Sequence, residues 1–141
     1  MANPANTTAY RLHDGRVAVN VTENKTLTID DSGYVQNVIV DAVVVTLPAT
    51  ATIGSWTVRN GGEAPDGAAV GTASDGTVGL SVSPNASDKI QGGVPGTATD
   101  NKDIINTKAT ARIGDEVSIL NAAETNGPIV TAIRGQWDRE A

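Results

Sequence analysis

At 141 residues, with ten Lys and Arg against sixteen Asp and Glu, the chain has the length of one domain and a net charge of −6. Nucleic-acid binding needs clustered cations to neutralise phosphates, and here they are scattered, so DNA and RNA are excluded as expected partners. There is no Cys and no Phe, and the aromatics are Trp56, Trp137, Tyr10 and Tyr34, so the core has to be built from Val, Ile, Leu and Ala without disulfides.

Residues 1–12 are expected to form an arm. Pro4, the Asn and Thr residues around it and the sparse apolar groups Tyr10 and Leu12 suit either a disordered tail or an extended segment that orders on a partner. No secretory signal is visible in it, and no apolar run is long enough to cross a bilayer. The remainder, 13–141, is expected to be one β domain.

Asp14-Gly15 is a hairpin-type turn pair, and Val17, Val19 and Val21 alternate with polar or small residues as a first strand. The stretch from Thr26 to Asn60 is the richest in β-branched residues. It reads as strand at Leu27–Ile29, turn at Asp30–Gly33, central strands from Val35 to Leu47, a stop at Pro48 and a strand through Trp56 and Val58. Val43, Val45 and Leu47 share one face of a period-2 ladder. The segment 60–76 is Gly-rich and is expected to be a long loop.

Val78, Leu80 and Val82 alternate as a further strand that ends at Ser83-Pro84-Asn85. Short strands follow at Ile104–Ile105, at Ala109, Ala111 and Ile113, at Val117–Leu120 and at Ile129–Ile133, with Gly135-Gln136-Trp137 and a charged tail closing the chain. Strands recurring at this spacing, with Gly, Pro, Asn or Asp between them, predict an all-β fold: a compact barrel, or a sandwich of short antiparallel strands.

Residues with catalytic potential are few. His13 is the sole histidine and no Gly-x-Ser-x-Gly elbow surrounds any serine, so neither a hydrolytic triad nor a zinc site is expected. Asp30, Asp31, Asp66, Asp75, Asp88, Asp100, Asp103 and Asp115 stand singly or as one pair beside turn residues, which is turn chemistry rather than a calcium loop or a glycosidase pair. Trp56 and Trp137 are expected to plug a core or a subunit interface, with sugar stacking as the rival use. The chain is accordingly expected to be no enzyme and to need no cofactor, metal or small-molecule substrate.

The order of the turn signals carries a resemblance. Asp31-Ser32-Gly33, Leu47-Pro48-Ala49, Gly54 with Val58 and Asn60, Ser83-Pro84-Asn85, Asp88-Lys89-Ile90-Gln91-Gly92, Gly114-Asp115-x-Val117 and Gly135-x-Trp137 together resemble small bacteriophage head-decoration (capsid cement) proteins and related β-rich fibre domains. The match runs from Thr26 to Trp137. It implies a β-barrel or β-tulip protomer that trimerises on the outer capsid surface of the virion after synthesis in the host cytoplasm, with the major capsid protein as partner and no membrane or nucleic acid. Under that implication Pro4, Tyr10 and Leu12 contact the capsid, while Val43, Val45, Leu47 and Trp56 form the contact between protomers. The alternative is a glycan- or receptor-binding fibre domain that uses Trp56, Trp137 and Tyr34.

Overall fold

The computed structural model describes residues 9–12, 14–62, 78–122 and 127–141. Among the described residues eleven strands run in chain order: β1 Ala9–Arg11, β2 Val17–Val21, β3 Lys25–Thr26, β4 Tyr34–Val38, β5 Val43–Thr46, β6 Gly54–Asn60, β7 Leu80–Ser83, β8 Ile104–Asn106, β9 Glu116–Asn121, β10 Ile129–Arg134 and β11 Asp138–Arg139. They form a six-stranded sheet, β1-β2-β4-β6-β9-β10, and a five-stranded sheet, β11-β8-β7-β5-β3. The all-β class holds and the arrangement is sandwich-like; the sheets do not close into a barrel.

The strands are not uniformly antiparallel, as the sequence had suggested. From β2 to β7 each successive strand lies in the other sheet, so β2, β4 and β6 run parallel in one, and β3, β5 and β7 run parallel in the other. The chain thus winds three times around a flattened coil. A hairpin turn returns a strand to its neighbour, whereas these turns carry the chain across the gap of about 10 Å between packed sheets. Leu27 and Leu47 show why. Each follows a strand of the smaller sheet and each is fully buried, so the turn is drawn over the core. Their amides extend the ladder past the strand ends, Leu27 N donating to Thr46 O at 2.8 Å and Leu47 N to Ser83 O at 2.9 Å.

Antiparallel strands then finish both sheets. β1 makes a hairpin with β2 through Gly15, whose φ of 90° suits a residue without a side chain. β8 pairs with β7, β9 with β6, β10 with β9 and β11 with β8. Inward residues follow period 2: Trp56, Val58 and Asn60 on β6; Val117, Ile119 and Asn121 on β9; Val43 and Val45 on β5; Leu80 and Val82 on β7. β4, between β2 and β6 in the sheet, is buried along its whole length.

Three segments depart from the sequence reading. The run Leu27–Ile29 is no strand: β3 stops at Thr26, and Ile29–Asp31 is a 3-10 turn closed by a Thr28–Asp31 capping box. The long stretch to Leu47 splits at 39–42, where Ala42 takes a φ of 61°, and its halves go to different sheets. Ala109, Ala111 and Ile113 alternate but lie in a turn in which the Thr110 and Ala111 amides both donate to Thr107 O. Two alanines bury too little area to hold an edge strand against those bonds. Much of the expected 60–76 loop lies outside the described residues.

Candidate functional site

Of the residues expected to contact a capsid, Tyr10 and Leu12 fall at one edge of the larger sheet. Pro4 lies outside the described residues, as does His13. Tyr10 stands on edge strand β1, 37% exposed, and its hydroxyl donates to Asn20 Oδ1 at 2.8 Å. Burial pushes the phenol's pKa up, opposed by Arg59 and by a bond from Asn37. Leu12 is half-buried in the hairpin turn, where its amide donates to Arg16 O.

The expected interprotomer residues are in the wrong place for that role. Val43, Val45, Leu47 and Trp56 all belong to the protomer's own buried core, at 3% exposure or less. The ladder face of Val43, Val45 and Leu47, and Trp56 from the other sheet, point between the sheets, so they offer nothing to a second copy. Trp137 and Tyr34 are interior too, and the tryptophan indoles donate inward, Trp56 Nε1 to Thr28 O at 3.1 Å and Trp137 Nε1 to Arg134 O at 3.0 Å. No tryptophan face is left at the surface for a sugar ring.

Three groups of polar side chains instead organise the two ends of the sandwich. At the end where β4 and β6 begin, Lys25 Nζ donates to Gln36 Oε1 at 2.7 Å and forms an ion pair of 2.9 Å with the 5%-exposed side chain of Asp31. Asp31 Oδ2 also accepts from Thr28 N at 2.8 Å, which fixes the 3-10 turn. Ser32 and Ser55 exchange two hydrogen bonds, and Asn121 Nδ2 donates to the carbonyls of Pro48 and Ala49. Two isoleucines, Ile29 at 54% exposure and Ile53 at 62%, stand out to solvent on these pinned turns. They are the most exposed large apolar residues at this end.

At the other end, fully buried Asn60 and Asn106 join the sheets. Asn60 Nδ2 donates to Asn106 Oδ1 and to Val78 O, both at 2.7 Å. Asn106 Nδ2 donates to Asp115 Oδ2 and to Gln136 O, both at 2.9 Å. Arg112 N gives Asp115 Oδ2 a second bond at 2.9 Å. Gly135, at a φ of 85°, lies directly against the Asp115 carboxylate, and a Cβ there would strike Oδ1. Thr110, Arg112, Asp115, Gly135 and Gln136 surround an open pocket of about 210 Å³.

The third group is Arg139 of β11, whose guanidinium donates to Ile90 O at 2.7 Å and reaches the carbonyls of Gly92 and Gly96. What read as a charged tail is therefore a docked strand.

Sequence reasoning assigned Asp31 and Asp115 to turns, which they do occupy, but missed the partners that they gather. A signal was available: Asn60, Asn106 and Asn121 each occupy the inward phase of an apolar ladder, and a polar residue there needs partners. Asp66 and Asp75 lie outside the described residues. Among the described residues no three His, Asp or Glu side chains group as a metal site, and no helix is long and apolar enough to cross a membrane.

No protein-family model matches the sequence, and the search of curated proteins found no match.

Proposed function

We infer that the protein is a structural virion component: a head-decoration protein that binds the outer surface of a phage capsid, as a homotrimer, and braces the shell. The order of turn signals supports this reading. The observation that carries it is the pair Ile29 and Ile53, exposed on turns whose backbones are already fixed by an ion pair, a capping box and the Ser32–Ser55 exchange. Side chains held in place before binding lose little entropy on docking, so even a small apolar contact is productive. Each isoleucine would add about 1 kcal/mol as its remaining exposed surface is covered. That is weak for one protomer, but linked protomers multiply it through effective concentration. A ligand that binds only the assembled shell then stabilises the shell by mass action.

The test is co-sedimentation with capsids stripped of the protein, using the wild type and the double variant Ile29→Asp/Ile53→Asp. The wild type is expected to pellet and to raise the temperature at which particles burst, while the variant stays folded and in the supernatant. Light scattering is expected to give a trimeric mass. A variant that pellets like the wild type, or particles of equal heat resistance with and without the protein, would overturn the reading.

A further inference from the structure

We propose that the pocket beside Asp115, at the end of the sandwich away from Ile29 and Ile53, is a subsite for one saccharide ring, bound through its hydroxyl groups. The proposal is independent of the capsid reading and of the buried tryptophans. Its basis is an unused acceptor. Asp115 is only 4% exposed and Oδ2 is saturated by Asn106 Nδ2 and Arg112 N, yet among the described residues nothing donates to Oδ1. Asp115 lines the pocket rather than the closed core, so this oxygen is open to a donor on a ligand.

The other walls decide what donor fits. Arg112 engages the network only through its backbone amide, so its exposed guanidinium is free of ion pairs with described residues. Thr110 Oγ1 donates to Thr107 O at 3.3 Å and keeps its own lone pairs for a ligand. The Gln136 side-chain amide makes one long bond, 3.4 Å, to Asp138 Oδ2, and its carbonyl oxygen has no partner among the described residues. The residues around the pocket thus carry a carboxylate, a guanidinium, a hydroxyl and an amide. A ligand of a single charge would meet a like charge on Arg112 or Asp115, whereas neutral groups that donate and accept at once would not. Neighbouring hydroxyls of a sugar ring have that property. At about 210 Å³ the space falls below the ~300 Å³ at which sites for drug-sized ligands begin, so one ring is the expected occupant.

The glycine opposite agrees with this use. Gly135 is the wall that lets the carboxylate approach the pocket's inner side, since any Cβ there would cover Oδ1.

The experiment is an amide-resolved NMR titration of the full chain with D-glucose, N-acetyl-D-glucosamine and L-rhamnose, with acetamide as a separate arm. At least one sugar is expected to give saturable shifts confined to Thr110, Arg112–Asp115, Gly135 and Gln136. Asp115→Asn retains an oxygen for Asn106 and Arg112 but presents an amide to the pocket, and Arg112→Ala removes only an exposed side chain. Each is expected to weaken binding about tenfold or more, the factor set by the loss of one charge-assisted hydrogen bond. If Asp115→Asn does not fold, Arg112→Ala and Gln136→Ala carry the test alone. Absence of saturable shifts with all three sugars, binding unchanged in the variants, or acetamide binding as well as the sugars would overturn the proposal.

Discussion

Replacing Asn106 by Ala tests whether the link between the two sheets is polar in substance or only in appearance. Asn106 is fully buried and makes three hydrogen bonds: it accepts from Asn60 and donates to Gln136 O and to the Asp115 carboxylate. Two neutral bonds at about 1 kcal/mol and one bond to a charged group at about 2 kcal/mol give an expected loss of about 4 kcal/mol. That is a large fraction of the ~5–15 kcal/mol that holds a domain of this size together. With a urea m-value of about 2 kcal/mol/M, the unfolding midpoint should fall by roughly 2 M with m unchanged. Asn106→Leu separates packing from bonding, because it refills the volume yet leaves Asp115 and Gln136 short of a donor. It should be nearly as damaging as Ala. A leucine variant at or above wild-type stability would refute the reasoning, as happens where a buried polar group is replaceable by a well-packed apolar one.

Lys25→Met strands the buried Asp31 carboxylate and should cost about 3 kcal/mol in the same urea assay, more than Lys108→Met, whose partner Asp41 is exposed. Gly15→Ala and Gly135→Ala both place a side chain at positive φ, for about 1–2 kcal/mol each, but only at Gly135 does the Cβ also collide with Asp115. The second should therefore unfold at distinctly lower urea; equal midpoints would mean that the turn yields. For pH, burial holds the Asp103 carboxyl above its ordinary range, with Glu140 adding to the shift and Ser83 and Lys102 opposing it. Its proton is bound more tightly in the folded chain, so this group gains stability as the pH falls through its folded pKa toward the unfolded value near ~3.9, and is a liability above. Asp41 is shifted down, first by the Gly79 amide and then by Lys108, so its contribution is present above the unfolded value and is lost as the pH falls through its folded pKa. Melting temperature against pH should show Asp103→Asn stabilised near neutrality and Asp41→Asn destabilised there. The opposite pair of signs would contradict both assignments.

The strands were legible wherever period 2 coincided with large side chains: Val17, Val19 and Val21, the run around Trp56 and Val58, and Val117 with Ile119 all lie in strands. Strand direction was not, because alternation says which face is buried and nothing about which neighbour pairs. Asp30-Asp31-Ser32-Gly33 has the composition of a hairpin turn, but the Asp31 side chain folds back on Thr28 and the following Gly33 amide bonds to Ser55 O, two strands on. The apolar face of Val43, Val45 and Leu47 was read correctly as a face and wrongly as an exposed one. Only the second sheet, placed over it by the alternating path of the chain, makes it interior. The inward phase of Asn60 and Asn106 marks each as needing partners but cannot say that they are each other's, 46 positions apart.

The winding also explains why both candidate surfaces sit at the ends of the sandwich and not on a sheet face. Each pass of the coil adds one turn at either end, and the ladder bonds of the next pass fix where that turn lies. Ile29 and Ile53 lead into β4 and β6, which pair directly, and the Gly33 amide to Ser55 O ties the two approaches together. Their separation is therefore set by strand spacing, independent of the side chains themselves. The turn from 107 to 115 is held in the same way, by the Asn60 amide to Asp115 O and the Gly114 amide to Asn60 O. It follows that substitutions of Ile29, Ile53 or Arg112 should alter binding and leave unfolding free energy within about 0.5 kcal/mol of wild type. A change at Leu27 or Leu47 should do the reverse, lowering stability by about 2–5 kcal/mol for Leu→Ala and weakening docking only in proportion to the fraction unfolded. If Leu47→Ala abolished capsid binding while the chain stayed folded, the ends would not be rigid, and the account of docking by pre-set turns would fail with them.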